Sequence, residues 1–306
     1  MKALRQAFTE ELLALARADS RICALATDSR GSVTLNDFVR ELPEQFVECG
    51  IAEQDAVGIA AGMARCGLIP FVCGPASFYA TRAAEQVKVD VAYSHTNVKV
   101  IGVSGGVSYG ALGGTHHAVQ DVAFMRAVPG LQVFLPSDAN QMVQLTRALA
   151  VSGEPAYVRV GRGAVPEIYT ADAPFSIGKA NVLREGGDIA LIACGEMVYP
   201  ALCAAGLLAS EGISARVIDM HTIKPLDTQA IACAAQTGRI LTCEEHSVHG
   251  GLGGAVAEFV SQNCPVKMKI LGLPDEVLFS GTNADVFAHY GLTAEGIARA
   301  AKGLVQ

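Results

Sequence analysis

Short runs of branched aliphatic residues alternate along the first half of the chain with longer stretches in which apolar positions recur every three or four residues. The short runs predict strands at 22–28, 69–74, 98–104, 131–136 and 156–161. The longer stretches predict helices at 3–17, 52–66, 78–93, 118–127 and 138–151. Ser137-Asp138, set behind Pro136, reads as the N-cap of the last of these. Periodicity lapses from 162 to about 186, where Gly, Pro and polar residues dominate. It resumes with strands at 188–195, 213–220, 239–245 and 266–273 and helices near 197–211, 226–236, 252–262 and 293–303. Such alternation predicts α/β architecture, parallel sheets with helices on both faces, because parallel neighbours need a crossover between them. Two α/β domains are expected, 1–170 and a smaller one at 187–306, with 171–186 as linker.

Hydrophobic residues make up 51% of the 306 and charged ones 17%, the balance of a chain folded throughout. A net charge of −7 without any Lys/Arg cluster excludes the electrostatic footprint of nucleic-acid binding. The amphipathic N-terminus lacks the apolar block of a signal peptide, and no apolar run reaches the ~18–20 residues of a membrane span. Neither membrane nor nucleic acid is an expected partner. Nine cysteines, scattered singly with no C-x-x-C pair, read as reduced, buried thiols of a cytoplasmic protein. A mean hydropathy of +0.33 leads us to expect an extensive subunit interface.

Ligands of parallel sheets gather where the strands end. Glu53 opens a segment, GIAEQDAVGIAAGMARCG at 50–67, that otherwise reads as core. Pattern alone leaves two readings: an acid favoured by the helix dipole, or a desolvated carboxyl sharing a proton with a ligand nitrogen. His116 and His117 lie in the glycine-rich loop SGGVSYGALGGTHHAVQD (104–121), whose glycines would let backbone approach a ligand closely. Their spacing to His95, His221, His246, His249 and His289 is not that of a zinc site, and no residue of this chain is expected to ligate a metal. Phe78 and Tyr79 could stack on a heterocycle or pack in the core, and Arg82 follows on the same helix. Of Arg159 and Arg162, only the second should lie beyond the sheet, where a guanidinium can bind phosphate or carboxylate. HGGLGG (249–254) misses the dinucleotide spacing, and tight helix–sheet packing explains its glycines.

GIAEQ at 50–54, ASFYATRAAEQ at 76–86, GGTHHAVQD at 113–121 and FLPSDANQ at 134–141 together resemble the pyrimidine-binding domain of transketolase-type thiamine diphosphate enzymes. EEHSVHGGLGGAVAEF (244–259) and YGLTAEGIA (290–298) are similar to the carboxy-terminal domain of the same family, so the resemblance covers essentially the whole chain. It implies the pyrimidine-binding fold for the first domain and a smaller transketolase carboxy-terminal domain for the second. It also implies that Glu53 holds the far nitrogen of the cofactor's aminopyrimidine, favouring its imino tautomer. Phe78 would stack on that ring, with Tyr79 as the other candidate, and Asp28 and Arg82 would lie near the cofactor. The resemblance makes His116 the contact to substrate oxygens, beside His117, and puts Arg5, Ser32, Ser104 and Arg162 where the family holds a sugar phosphate.

The Gly-Asp-Gly motif with which transketolases bind the diphosphate and Mg²⁺ is absent, and residue 1 already begins the pyrimidine domain. The resemblance therefore implies the carboxy-terminal subunit of a split transketolase. An amino-terminal partner would supply the diphosphate and metal site in an α2β2 assembly. The donor would be a ketose phosphate and the acceptor an aldose or other aldehyde. Leu112 stands where the family has an Asp, and Ser104 where it has a His, which implies a donor–acceptor pair unlike the pentose-phosphate set. The competing expectations are the β subunit of a 2-oxo acid or acetoin dehydrogenase and a non-catalytic partner of the same fold.

Overall fold

The apolar runs of the first half become strands Ile22–Ala26, Ile69–Pro75, Lys99–Val103, Gln132–Phe134 and Ala156–Val160 of a computed structural model that describes residues Met1–Gln306. Three of the five are buried along their whole length, which is why they read as continuous apolar runs rather than alternating ones. They form the centre of a seven-stranded sheet. From one edge its order is Thr222–Lys224, Gln132–Phe134, Ala156–Val160, Lys99–Val103, Ile69–Pro75, Ile22–Ala26 and Phe46–Glu48. All pairings are parallel except the first, where a strand from the second half of the chain lies antiparallel on Gln132–Phe134.

Helices Leu4–Ala18 and Ala139–Val151 pack together on one face of this sheet. Leu4, Phe8 and Leu12 of the first, and Met142, Leu145 and Leu149 of the second, are buried there. Burying each such side chain contributes about 1.5–3 kcal/mol. Helix Glu53–Arg65 packs on strand Ile69–Pro75 through Ala56, Val57, Ala60 and Ala61, whose small size lets helix and sheet approach closely.

The second half builds a five-stranded sheet, ordered Lys267–Leu273, Arg239–Ser247, Ile189–Ala193, Ala215–Asp219 and Asn181–Arg184, with only the last strand antiparallel. Helices Val198–Ser210, Thr228–Ala235, Leu252–Asn263 and Ala294–Val305 cover it, within a few residues of expectation. No helix of the chain is long and apolar enough to cross a membrane.

Several features depart from the sequence reading. The helix expected at 78–93 is three pieces, Ala76–Thr81, Ala84–Gln86 and a π-helical Val87–Tyr93, because Ala83 leaves helical geometry at φ −103°, ψ 17°. The helix expected from 118 starts at Asp121, since Ala118 is bridged to Gly106 by a pair of backbone hydrogen bonds. Strand Asn181–Arg184 lies inside the expected linker, and Ala164–Val165 pairs with Lys2–Ala3. The cysteines are free, but Cys66, Cys203 and Cys233 are exposed: the first caps the C-terminal end of its helix, and the others face outward.

The two halves meet in a buried polar junction. Arg159 lies 3.6 Å from Asp121 Oδ1 and 3.6 Å from Glu245 Oε2, and donates to the carbonyl of Glu245. A Cβ at Gly105 would come within 2.4 Å of Arg159, and one at Gly106 within 2.2 Å of Glu245. Gly110 is pressed in the same way against the Gly281 carbonyl. Gly106 and Gly110 of the histidine loop thus pack against the second domain, and Gly105 against Arg159 of the first. The amides opening helix Leu252–Asn263 are likewise occupied. Glu244 accepts from Leu252 N and Gly253 N, both at 2.7 Å, which accounts for HGGLGG without a phosphate.

Candidate active site

Strands Ala156–Val160, Lys99–Val103, Ile69–Pro75, Ile22–Ala26 and Phe46–Glu48 are successive neighbours in the sheet. All five are parallel, so the segments that follow them emerge on one edge. Arg162 follows the first, the histidine loop the second, Phe78 and Arg82 the third, Asp28 and Ser32 the fourth, and Glu53 the fifth. Sheet order thus gathers residues far apart in sequence.

Glu53 is the first residue of its helix and only 2% exposed. Its Oε2 accepts a hydrogen bond of 2.9 Å from Arg82 Nη1, and Arg82 also sits 4.2 Å over the ring of Phe78. Arg82 itself is 46% exposed, so the acid is inside and its cation at the rim. Phe78 meets His116 edge to face at 5.4 Å between ring centres. His116 meets Tyr109 at 5.6 Å and has Thr115 Oγ1 2.9 Å from its Nδ1. Glu53, Arg82, Phe78, His116 and Tyr109 therefore form one continuous chain of contacts.

His117 is buried beside them, its Nε2 3.4 Å from the Gly110 carbonyl and its Nδ1 without a partner. Burial, with a smaller push from His116, lowers its pKa, so the ring is neutral at physiological pH. It lines a cavity of about 460 Å³ together with Ser77, Phe78, Arg82, Gln120 and Asp121. The Ser77 hydroxyl is also buried without a partner. An aromatic ring face, orphaned polar atoms and a sealed carboxyl nearby fit an aromatic nitrogen heterocycle. No group of three or more His, Cys, Asp or Glu side chains could hold a metal ion.

Farther along the edge, Arg162 donates to the Tyr109 hydroxyl and lies 4.4 Å over its ring. Arg5 Nη1 donates to the Ser32 carbonyl at 2.7 Å, and Ser32 Oγ is 2.9 Å from the Tyr109 oxygen. Burial, then the charge of Arg162, lowers the pKa of Arg5. Asp28 stands exposed at φ 52°, its amide donating to Glu48. Ser104 is buried at φ 60°, its hydroxyl unpartnered. Leu112 is 53% exposed on the loop. Tyr79 is not at the site: it is fully buried in the core, its oxygen 3.4 Å from Thr27, because it projects from the sheet side of the helix that carries Phe78. Tyr109 was missed by sequence reasoning. The signal was there, a single aromatic among the loop glycines of a chain only 6% aromatic.

Parallel sheet, buried helix-start acid and histidine loop define a pyrimidine-binding type of α/β domain, coupled through a polar junction to a second α/β domain. Comparison with known proteins agrees at both levels. The pyrimidine-binding domain of transketolase matches residues 1–167, and the transketolase C-terminal domain matches residues 178–297. The chain belongs to the transketolase family, and that membership implies dependence on thiamine diphosphate. It is 56% identical, over 100% of its length and 98% of the relative's, to a subunit of the apulose-4-phosphate transketolase of Phocaeicola vulgatus. It is 38% identical to the 6-deoxy-6-sulfo-D-fructose transketolase subunit of a Clostridium species, over 97% of this chain and 93% of that one. Among solved structures, a split-gene transketolase described as an inactive β4 tetramer superimposes with a TM-score of 0.93 at 38% identity, over 100% of this chain and 99% of the other.

Proposed function

We propose that this chain is the pyrimidine-binding subunit of a two-chain transketolase, moving a two-carbon ketol unit from a ketose phosphate to an aldehyde acceptor. The carrying observation is the buried Glu53 at a helix start, joined through Arg82 to Phe78 and on to His116 along one sheet edge. In this reading Glu53 holds the pyrimidine nitrogen of thiamine diphosphate, and Phe78 covers the ring. Bound there, the cofactor supplies the carbon nucleophile that carries the two-carbon unit. His116 donates to substrate oxygens and His117, neutral, accepts a proton. Asp28, exposed, and Ser104, buried, follow strands of the same edge, and Arg5, Ser32 and Arg162 receive the phosphate.

A partner chain supplies the diphosphate contacts and Mg²⁺ ligands. The split-gene relative is described as an inactive β4 tetramer, which favours the same need here. Ile51 and Ile59, exposed on either side of Glu53 in sequence, offer an apolar face for that assembly, read as α2β2. The naming of the 56%-identical relative makes apulose-4-phosphate the first donor to try. Free thiols favour a cytoplasmic setting.

The test is turnover of ketose phosphates by this chain purified with its partner. We expect activity only in the complex, reduced about 100-fold or more by Glu53→Gln. Full activity of that variant, or dependence on a lipoyl domain, would overturn the reading.

A further inference from the structure

Tyr109 sits between the two parts of the site. Its oxygen accepts from Arg162 Nη1 and lies 2.9 Å from Ser32 Oγ, and the guanidinium carbon of Arg162 is 4.4 Å from its ring centre. The same ring meets His116 edge to face at 5.6 Å and 80°. Arg5 arrives from the first helix through Ser32, and its Nε is sealed from solvent without a hydrogen-bond partner. Arg162 on the phenol and Arg5 behind Ser32 carry like charge and repel each other, and the ring's electron-rich face offsets only part of that repulsion. An anion bound between them relieves the rest. The phenol hydroxyl accepts from Arg162 while keeping its own proton to donate.

We propose that Tyr109 is a specificity-determining residue: its hydroxyl is a third donor, with Arg5 and Arg162, to the substrate phosphate, and its ring sets the distance between that phosphate and His116. The separations of 5.6 Å and 4.4 Å from the Tyr109 ring centre leave His116 and the Arg162 carbon at most 10.0 Å apart, so a substrate touching both is short. The proposal rests on the transketolase reading for the identity of the substrate, but not for the anion contact itself.

Two measurements on the complex with the partner chain separate the two. Inorganic phosphate is titrated calorimetrically into wild type, Tyr109→Phe and Tyr109→Leu. In parallel, kcat and KM are measured for a ketose phosphate and for the same ketose without phosphate. Tyr109→Phe should weaken phosphate binding about tenfold, and raise KM for the phosphorylated ketose about tenfold more than for the free one. Tyr109→Leu, which removes the wedge as well, should shift relative kcat/KM toward longer ketose phosphates. Equal phosphate affinity in wild type and Tyr109→Phe, or equal KM rises for both ketoses, would overturn the proposal. Should neither ketose turn over while phosphate binding still needs the hydroxyl, the transketolase reading fails and the role of Tyr109 as an anion contact stands.

Discussion

Phe78 and Tyr79 are neighbours on one helix, turned about 100° apart by its geometry. That rotation sends the Tyr79 ring into the core beneath strand Ile69–Pro75 and leaves Phe78 half-buried at the cavity between Arg82 and His116. The two residues should therefore fail in different ways. Tyr79→Ala empties a fully packed site and should cost about 3–5 kcal/mol in denaturant unfolding. Phe78→Ala should leave unfolding within about 1 kcal/mol of wild type yet raise the thiamine diphosphate concentration needed for half-maximal activity about tenfold, the loss of one ring contact. Equal unfolding costs would mean that the two rings share the core. Glu53 shows the limit of reading one residue by pattern. Its position at a helix start suits a dipole-favoured acid and a ligand-binding acid alike, and its burial beside Arg82 and Phe78 is what favours the second.

The two helices that begin with an aspartate cap give that cap a second task. Asp138 accepts from Gln141 N at 2.8 Å, capping helix Ala139–Val151, while its other oxygen accepts from Ile168 N and Tyr169 N at 2.7 and 2.8 Å. Asp227 caps helix Thr228–Ala235 and holds Ala180 N at 3.0 Å. These carboxylates order the segment between the sheets, whose sequence has no period because its backbone partners are caps rather than ladders. Asp138→Ala should therefore cost about 3 kcal/mol or more in thermal or chemical unfolding, beyond the ~1 kcal/mol of an ordinary cap. Asp138→Asn, which keeps an acceptor, should recover part of that loss. The major helices were legible because each is long and periodic, and the central strands because each is an apolar run. Strand Thr222–Lys224 was not: it has three residues, and its pairing with Gln132–Phe134 is a tertiary choice made across the two halves. Helix Asn283–Tyr290 escaped for a similar reason, although Thr282 and Asp285 form its capping box, because only Val286 of it is buried. The candidate residues Glu53 and His116 are named by motifs in the sequence, whereas Tyr109 gains its contacts only from arginines distant in sequence.

At the scale of the whole molecule, one guanidinium joins two acids across the two halves, with a third beside them. Asp121 and Glu245 each lie 3.6 Å from Arg159, and Glu196 lines a small cavity with Arg159 and Glu245, its Oε1 sealed from solvent and unpartnered. A single cation cannot balance three carboxylates gathered there, two of them buried, so at least one keeps its proton to higher pH than it would in water. Burial raises Glu196 and Glu245 well above the usual carboxylate range and raises nearby Glu244 to about 7. Each raised group binds more protons folded than unfolded between its ordinary pKa, near 4.5, and its raised value. Stability from this junction is thus fully present below pH 4.5 and falls as pH climbs from there through about 7. Buried His221, held down to about 4, works the other way below 6.5, where folding keeps it neutral. A direct pH profile mixes the two effects, whereas the difference between wild type and Glu196→Gln isolates the junction, because the amide cannot ionise and every other group is common to both. Between pH 5.5 and 8.5 the stability of Glu196→Gln relative to wild type should rise by about 1–2 kcal/mol. Thermal unfolding of the two proteins across that range checks it, and a pH-independent difference would mean that the acids share their charge with Arg159 without holding a proton.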